Sequence, residues 1–202
     1  MFTGLVQGIA RIERVQPIAG GRGVQIWVDA GDVGGFAAQA GDSIALNGAC
    51  MTATQVDGKR FSADVSAESL ARTAGLDAPG PVNVETSLRL GDAIGGHMVA
   101  GHVDGVGTVV RLTPAGESRE LVIAAPRALA KYFAVKGSVA VDGVSLTINR
   151  VTDTADACEL SLNIIPHTLA HTTLGRLAAG VRVNLEVDLI ARYVERMLPR
   201  AA

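Results

Sequence analysis

The chain is written twice. Asn47-Gly48-Ala49-Cys50-Met51-Thr52 returns as Asp142-Gly143-Val144-Ser145-Leu146-Thr147, and the separation from Cys50 to Ser145 equals that from Thr52 to Thr147. Met1-Phe2-Thr3-Gly4-Leu5-Val6-Gln7-Gly8 aligns with Met98-Val99-Ala100-Gly101-His102-Val103-Asp104-Gly105, and Gly41 to Leu46 with Lys136 to Val141. Glu68-Ser69-Leu70 then Thr73 corresponds to His167-Thr168-Leu169 then Thr172, and Val82-Asn83-Val84-Glu85 to Val183-Asn184-Leu185-Glu186. A fold for this chain must therefore be a fold for half of it, used twice. The repeat divides near Gly91 to Gly96, giving units 1–92 and 93–188 and a tail, 189–202, that belongs to neither.

Each unit reads as short alternating strands. In the first they are expected at Leu5 to Ile12, Val24 to Val28, Ser43 to Leu46, Cys50 to Val56, Arg60 to Val65 and Val82 to Leu88. Phe61, Ala63 and Val65 alternate as Cys158, Leu160 and Leu162 do, so Cys158 is expected to be an ordinary buried strand residue. Few charged residues (19%), 24 glycines and a core of Val, Ile, Leu and Ala suit many strands joined by tight turns. The pattern is that of an all-β chain of two small closed antiparallel barrels, which leave no open sheet edge. Short helices are expected at Ser66 to Ala74, at His167 to Leu174 with Gly175 as its stop, and from Pro126 to about Phe133. In the tail, Leu189, Ile190, Tyr193, Val194, Met197 and Leu198 form one apolar stripe of a terminal helix, opposite Arg192, Glu195 and Arg196. Such a helix docks on its own chain or pairs with copies of itself, and the second use suits a two-barrel chain with no evident groove to receive it.

A net charge of −2 gives no basic surplus for nucleic acid or an anionic membrane. No cationic and apolar leader and no apolar run of roughly 18 residues is present, so a cytoplasmic protein is expected. Two cysteines, Cys50 and Cys158, in dissimilar settings do not read as a disulfide framework. There is no Walker loop and no G-x-G-x-x-G after a strand. Gly143-Val144-Ser145-Leu146-Thr147 lacks the second glycine of a nucleophile elbow. His97 and His102 have no companion ligands at zinc spacing.

The chemistry-bearing positions lie on the repeated strand. Residues i and i+2 of a strand share a face, so Cys50 shares one with Thr52, and Ser145 shares the matching face with Thr147. Taken alone, each stretch is equally a hairpin turning small residues toward a core. His102 occupies the place where the first copy has Leu5, so the halves agree in shape and differ in chemistry.

Met1-Phe2-Thr3-Gly4-Leu5-Val6, the Asn47 to Thr52 stretch, Ile94-Gly95-Gly96-His97-Met98-Val99-Ala100-Gly101-His102, the Asp142 to Thr147 stretch and Thr172-Thr173-Leu174-Gly175 closely resemble, in this order, the riboflavin synthase alpha-chain family. The resemblance implies two six-stranded Greek-key barrels and a C-terminal helix that holds a homotrimer. It implies two molecules of 6,7-dimethyl-8-ribityllumazine as substrates, one giving a four-carbon unit to the other, with riboflavin and 5-amino-6-ribitylamino-uracil as products. No metal or redox cofactor is implied, and an association with lumazine synthase is left open. The productive site is expected between the N-terminal barrel of one subunit and the C-terminal barrel of a neighbour.

Carried over by motif, a first pocket uses Gly4, Leu5, Val6, Cys50, Met51, Thr52, Asp64, Val65, Ser66, Ala67, Glu68 and Ser69. A second uses Gly101, His102, Val103, Lys136, Ser145, Leu146, Thr147, Asn163, Ile164, Ile165, Pro166, His167 and Thr168. The resemblance casts Cys50 and Ser145 at the pterin ring, His102 in proton transfer, Asp188 in a ribityl or ring contact, and Phe2 in ordering the N-terminal segment over the pocket. His167 stands where an acidic residue is expected, and Ala49 where relatives can carry a second Cys. The rival reading is a lumazine or flavin carrier that keeps both barrels and binds at only one. It predicts decay of the second pocket, yet Lys136, Ser145, Thr147 and Ile165 to Thr168 are all in place.

Overall fold

The computed structural model describes residues 1–198; the end of the expected tail, 199–202, lies outside the described residues. Strands β1 (Gly8–Pro17), β2 (Val24–Asp29), β3 (Ser43–Leu46), β4 (Ala49–Asp57), β5 (Arg60–Val65) and β6 (Gly80–Thr86) close a barrel in the order β1-β2-β5-β4-β3-β6. Strands β7 (Gly105–Ala115), β8 (Ser118–Pro126), β9 (Ser138–Val141), β10 (Val144–Asp153), β11 (Ala157–Ile164) and β12 (Arg182–Val187) close a second in the equivalent order, β7-β8-β11-β10-β9-β12. All pairings are antiparallel. Even the irregularities repeat: the register shifts at Ile12/Arg14 and Ala53/Gln55 in the first barrel and at Val109/Arg111 and Ile148/Arg150 in the second. Bulges of this kind bend long strands around the closure.

Alternation builds the two cores. Along β4, Ala49, Met51 and Ala53 are buried while Cys50 is half-buried and Thr52 exposed. Phe61 and its neighbours fill the first barrel, and Leu121, Ile123, Ile148, Leu160 and Leu162, all fully buried, fill the second. Cys158 is buried among them as a free thiol.

Three local expectations are corrected. The first strand begins at Gly8, because residues 1–7 form a leader that runs outside the barrel. The segment 167–174 is not one helix: α2 (Pro166–His171; α1 is Ala67–Arg72) ends at an extended Thr172, and a 3-10 turn, Thr173–Arg176, follows. Gly175 lies inside that turn, where a Cβ would stand 2.1 Å from the Leu169 carbonyl oxygen, so it serves a close approach instead of a stop. Pro126 ends β8, and the residues after it, Arg127–Tyr132, form a 3-10 helix.

The barrels meet at their two repeated turns. Asn47 and Asp142 both have φ 44, and Gly48 and Gly143 have φ 79 and 80, as a two-residue hairpin turn of the primed type requires. A Cβ on Gly48 would lie 2.7 Å from the Gly143 amide nitrogen, and one on Gly143 2.8 Å from that of Gly48. Around this contact the polar groups cross between halves. Asn83 Nδ2 donates to the Asp142 carbonyl and Asn184 Nδ2 to the Asn47 carbonyl, both at 2.9 Å. Asn47 Oδ1 accepts the Asn83 amide, and Asp142 Oδ1 accepts that of Asn184.

Asn47 does with an amide what Asp142 does with a carboxyl group. Full burial pushes the Asp142 carboxyl from 3.8 up to about 7, against the lowering effect of the Asn184 N–H. The folded chain thus keeps a proton that the unfolded chain releases above pH 4, so this group's contribution to stability falls as pH rises through the window from about 4 to about 7. Asp142→Asn should raise the melting temperature at pH 8, by on the order of 2 kcal/mol of stability, and change it little at pH 4.5. Thermal melts of both proteins at the two pH values check this; an equal shift at both would refute it.

Candidate functional site

Each barrel's leader crosses to the other barrel. Phe2 and Val99 pair as a short antiparallel bridge, Phe2 N–H to Val99 O at 2.7 Å and Val99 N–H to Phe2 O at 3.0 Å. With Ala45 and Ala140 they form a small core of their own, which Cys50 flanks. Beyond the bridge, Val6 packs on the core of the second barrel and Val103 on that of the first. Gly4 O accepts the Ser145 amide and Gly101 O accepts the Cys50 amide, each at 2.8 Å. A Cβ at either glycine would lie 2.6 Å from the Cβ of the residue it faces, Ser145 or Cys50. Their positive φ values, 75 and 80, exclude other residues a second time.

Buried carboxylates hold the leaders down. Glu85 Oε1 accepts the Thr3 amide and hydroxyl at 2.7 Å, and its Oε2 accepts the Gly4 amide at 3.1 Å. Glu186 accepts three successive amides, Ala100 at 2.6 Å and Gly101 and His102 at 2.9 Å. Burial raises both carboxyl groups above their ordinary value, Glu186 to about 7, while the donated amides pull the other way.

The first cleft, about 420 Å³, lies beside Cys50. Helix α1 forms one wall, capped by Ser66, whose hydroxyl accepts the Ser69 amide; Glu68 and Arg72 of this helix form an ion pair at 2.9 Å on the rim. The leader supplies the other wall with His102 and Val103. The grouping expected from the sequence is therefore corrected: Gly101, His102 and Val103 belong with Cys50, and Gly4 with Ser145, because the leaders are exchanged. Thr52 and Asp64 are exposed, whereas Val65 is wholly within the barrel core and Met51 is nearly so.

Around Ser145 a different chemistry is assembled. Its Oγ lies 2.7 Å from His97 Nδ1, and His97 is 9% exposed, its Nε2 buried with no hydrogen-bond partner among the described residues. Burial holds the imidazole below its ordinary value, opposed by the charge of Asp188, so it is neutral near pH 7. Asp188 itself caps α3 (Leu189–Met197), its carboxylate accepting the Ile190 amide. Thr147 is exposed on the face it shares with Ser145, and Leu146 and Ile164 are buried in the second barrel's core. Asn163, Ile165, Pro166 and His167 are exposed and Thr168 is half-buried, with the His167 and His171 rings stacked at 4.1 Å. Lys136 is exposed, at φ 70, where the first barrel has Gly41 at φ 97. Leu5 is exposed. Phe2 is fully enclosed in the small core it shares with Val99, Ala45 and Ala140. The sequence offers His97 only as a rejected zinc ligand, because it lies just before the stretch aligned with Met1 and has no counterpart in the first copy; its place in the Gly95-Gly96-His97 step, where the backbone approaches Thr3 and Ser145 closely, was the available signal.

Two stretches of the chain, residues 3–87 and 100–188, each match the lumazine binding domain family. The chain is 42% identical to the riboflavin synthase of Mycobacterium tuberculosis with all of both chains covered. It is 38% identical to that of Photobacterium phosphoreum, over 98% of this chain and 89% of that one, and 37% identical to that of Brucella abortus, over 98% of each. Among solved structures, LumP complexed with riboflavin superposes with a TM-score of 0.80 at 23% identity, covering 93% of this chain and 99% of that chain. LumP complexed with 6,7-dimethyl-8-(1'-D-ribityl) lumazine gives 0.78 at the same identity and coverage.

The environment of His97 sets a measurable expectation. Its imidazole should titrate below 6.5 by NMR, and Asp188→Asn should move the midpoint lower still, since that carboxylate opposes the burial effect. A midpoint at or above the ordinary value, or one raised by the substitution, would contradict the geometry.

Proposed function

The chain belongs to the riboflavin synthase family, built on two tandem lumazine binding domains, and on that premise we propose how its two sites divide the reaction. The activity is that of a transferase: two molecules of 6,7-dimethyl-8-ribityllumazine exchange a four-carbon unit, giving riboflavin and 5-amino-6-ribitylamino-uracil. Reactants and products balance with no external oxidant or reductant. The observation that carries the reading is the duplicated site whose two copies match in backbone and differ in reactive groups, Cys50 with His102 in one and Ser145 with His97 in the other. A reaction between two identical molecules needs two like-shaped sites that treat their occupants differently, and orientation supplies much of the rate.

The proton to be moved is on the C7 methyl of one lumazine, acidic because the resulting anion spreads into the ring. The base proposed is His97, which burial keeps neutral near pH 7 and whose Nδ1 lies 2.7 Å from Ser145 Oγ; the nearby Asp188 charge stabilises the imidazolium that forms. Ser145 Oγ also meets the ring as a hydrogen-bond partner. In the first site the Cys50 thiol and the His102 ring contact the second lumazine, and Glu68 and Ser69 offer polar groups to its ribityl chain. Two unpaired thiols fit a reducing compartment, the cytoplasm.

The subunit arrangement proposed is a homotrimer in which the first site of one chain faces the second site of a neighbour. Helix α3 supports this because it is mounted with its apolar side out. Its polar residues reach the barrel, Arg192 to Asp104 and Glu195 to Lys131, while Ile190, Tyr193, Val194 and Met197 are 52% to 82% exposed. A stripe of this kind is stable when copies cover it.

Purified protein given the lumazine alone should produce riboflavin and the diaminouracil in equal amounts, and His97→Gln should slow the reaction at least 10²-fold. Lumazine returned unchanged would leave a carrier, and full activity in the variant would move the base elsewhere. Tyr193→Asp should lower both sedimenting mass and turnover; unchanged sedimentation would remove the role given to the helix.

A further inference from the structure

Glu186 is buried and does not itself line the cleft beside Cys50, yet the leader that carries His102 is fastened to it. The comparison between repeats isolates what is special. Glu85 takes two leader amides and the Thr3 hydroxyl, and the next amide, that of Leu5, turns to the Thr3 oxygen at 3.0 Å. In the second repeat Ala100 replaces Thr3 and has no hydroxyl to offer, and the carboxylate takes the amide of the following residue directly; that residue is His102. Downstream, the Asp104 amide donates to the Leu185 carbonyl at 2.8 Å, and Asp104 Oδ2 accepts the Val187 amide at 2.9 Å. The segment Ala100 to Asp104 is thus tied to the strand residues on both sides of Glu186 as well as to Glu186 itself. Outward, Gly101 O accepts the Cys50 amide and Asp104 Oδ1 accepts from the Arg192 guanidinium of α3.

We propose that Glu186 is a positioning residue for the riboflavin synthase reaction: by gathering the Ala100, Gly101 and His102 amides, its carboxylate sets the height and direction at which His102 enters the cleft beside Cys50. Three successive N–H groups turned onto one carboxylate fix the backbone dihedrals between them, and charge-assisted bonds in a buried setting are the strong kind. A glutamine has the same shape but presents one acceptor oxygen and an NH₂ that opposes an N–H donor. The leader of such a variant shifts while the barrel beneath it, built from Leu185, Val187 and their neighbours, stays closed. This inference rests on the riboflavin synthase reading for its kinetic consequence alone; the structural claim is tested separately.

The experiment compares Glu186→Gln, His102→Ala and the double variant with the wild-type enzyme. Hydrogen exchange in Glu186→Gln should quicken at Ala100, Gly101 and His102 and not in β9 or β10. Its kcat should fall about 10- to 100-fold, the size expected of a displaced catalytic-site group. The double variant should be no slower than His102→Ala, since Glu186 acts through that side chain. Unaltered exchange at the three amides, or losses that multiply in the double variant, would overturn the proposal. If the wild type made no riboflavin, the reading of function would fail while the exchange data still judged the clamp. If Glu186→Gln did not fold, wild-type exchange would decide: the three amides should be protected at least ~100-fold, and rapid exchange there would end the idea.

Discussion

Two hairpin turns, one from each half, meet backbone to backbone at Gly48 and Gly143, and the positions of both sites follow from how close that contact is. With nothing larger than hydrogen on either Cα, the turns approach until the amide of one lies where a side chain of the other would be. The strands that leave these turns, β4 and β10, therefore start side by side, and Cys50 and Ser145 follow two residues later. The groove between the barrels is then narrow enough for each leader to reach across and pair with the opposite strand. A methyl group at either turn glycine would push the halves apart and lengthen the Gly4 to Ser145 and Gly101 to Cys50 hydrogen bonds together.

Closeness of this kind carries a cost in polar groups withdrawn from water. Asn47, Asn83, Glu85, Asp142, Asn184 and Glu186 are all buried at or near the junction. They are tolerated because they are hydrogen-bonded: Asn83 and Asn184 across the halves, Asn47 and Asp142 within their own half, and Glu85 and Glu186 to the leaders. Buried carboxylates are weak sources of net stability, as the upward displacement of Asp142 and Glu186 shows. What they confer is uniqueness. An apolar junction would let the two similar barrels slide or swap partners, whereas paired amide and carboxyl groups accept one register only. The fold gives up stability at the seam and gains an exact placement for two reactive faces.

Much of this was legible in the residues. Strand positions came within a few residues because alternation and tight-turn glycines are local signals, and the face that Cys50 shares with Thr52, and Ser145 with Thr147, followed from the pleat, though not whether it turns outward. The exchange of leaders was not legible, because a repeat shows which segments are equivalent and says nothing of whether each packs on its own copy or on the other. Glu85 and Glu186 also hid in plain view. Alternation places each on the outer face of its strand, alongside Asn83 or Asn184, and an outer face ordinarily means solvent. Here it means the other half of the molecule. The recurrence of Asn-x-Glu in both copies, on a face that water would leave free to vary, was the signal for a shared buried role. In the sequence His97 stands only as a rejected zinc ligand, because it lies just before Met98, where the alignment with Met1 begins, and so has no equivalent in the first copy to point to another role.

Duplication followed by divergence explains why the scaffold keeps its symmetry so strictly while its reactive groups do not. On the proposed division of the reaction, equal backbones give two lumazines the same fit, and unequal side chains decide which loses a proton. Were both sites equipped with a buried neutral histidine, either occupant could ionise and the two anions would repel. On that reading one base is enough, and the Leu5 to His102 and Cys50 to Ser145 differences distinguish the occupants while the strand order of the two barrels stays the same. The helix completes the logic. Its charged residues are spent on the barrel that carries Ser145, Asp104 taking Arg192 just beside the His102 leader. In the proposed homotrimer, the helix that offers its apolar stripe to other copies is thereby anchored to the segment that lines the first cleft, so assembly and site geometry share one set of contacts.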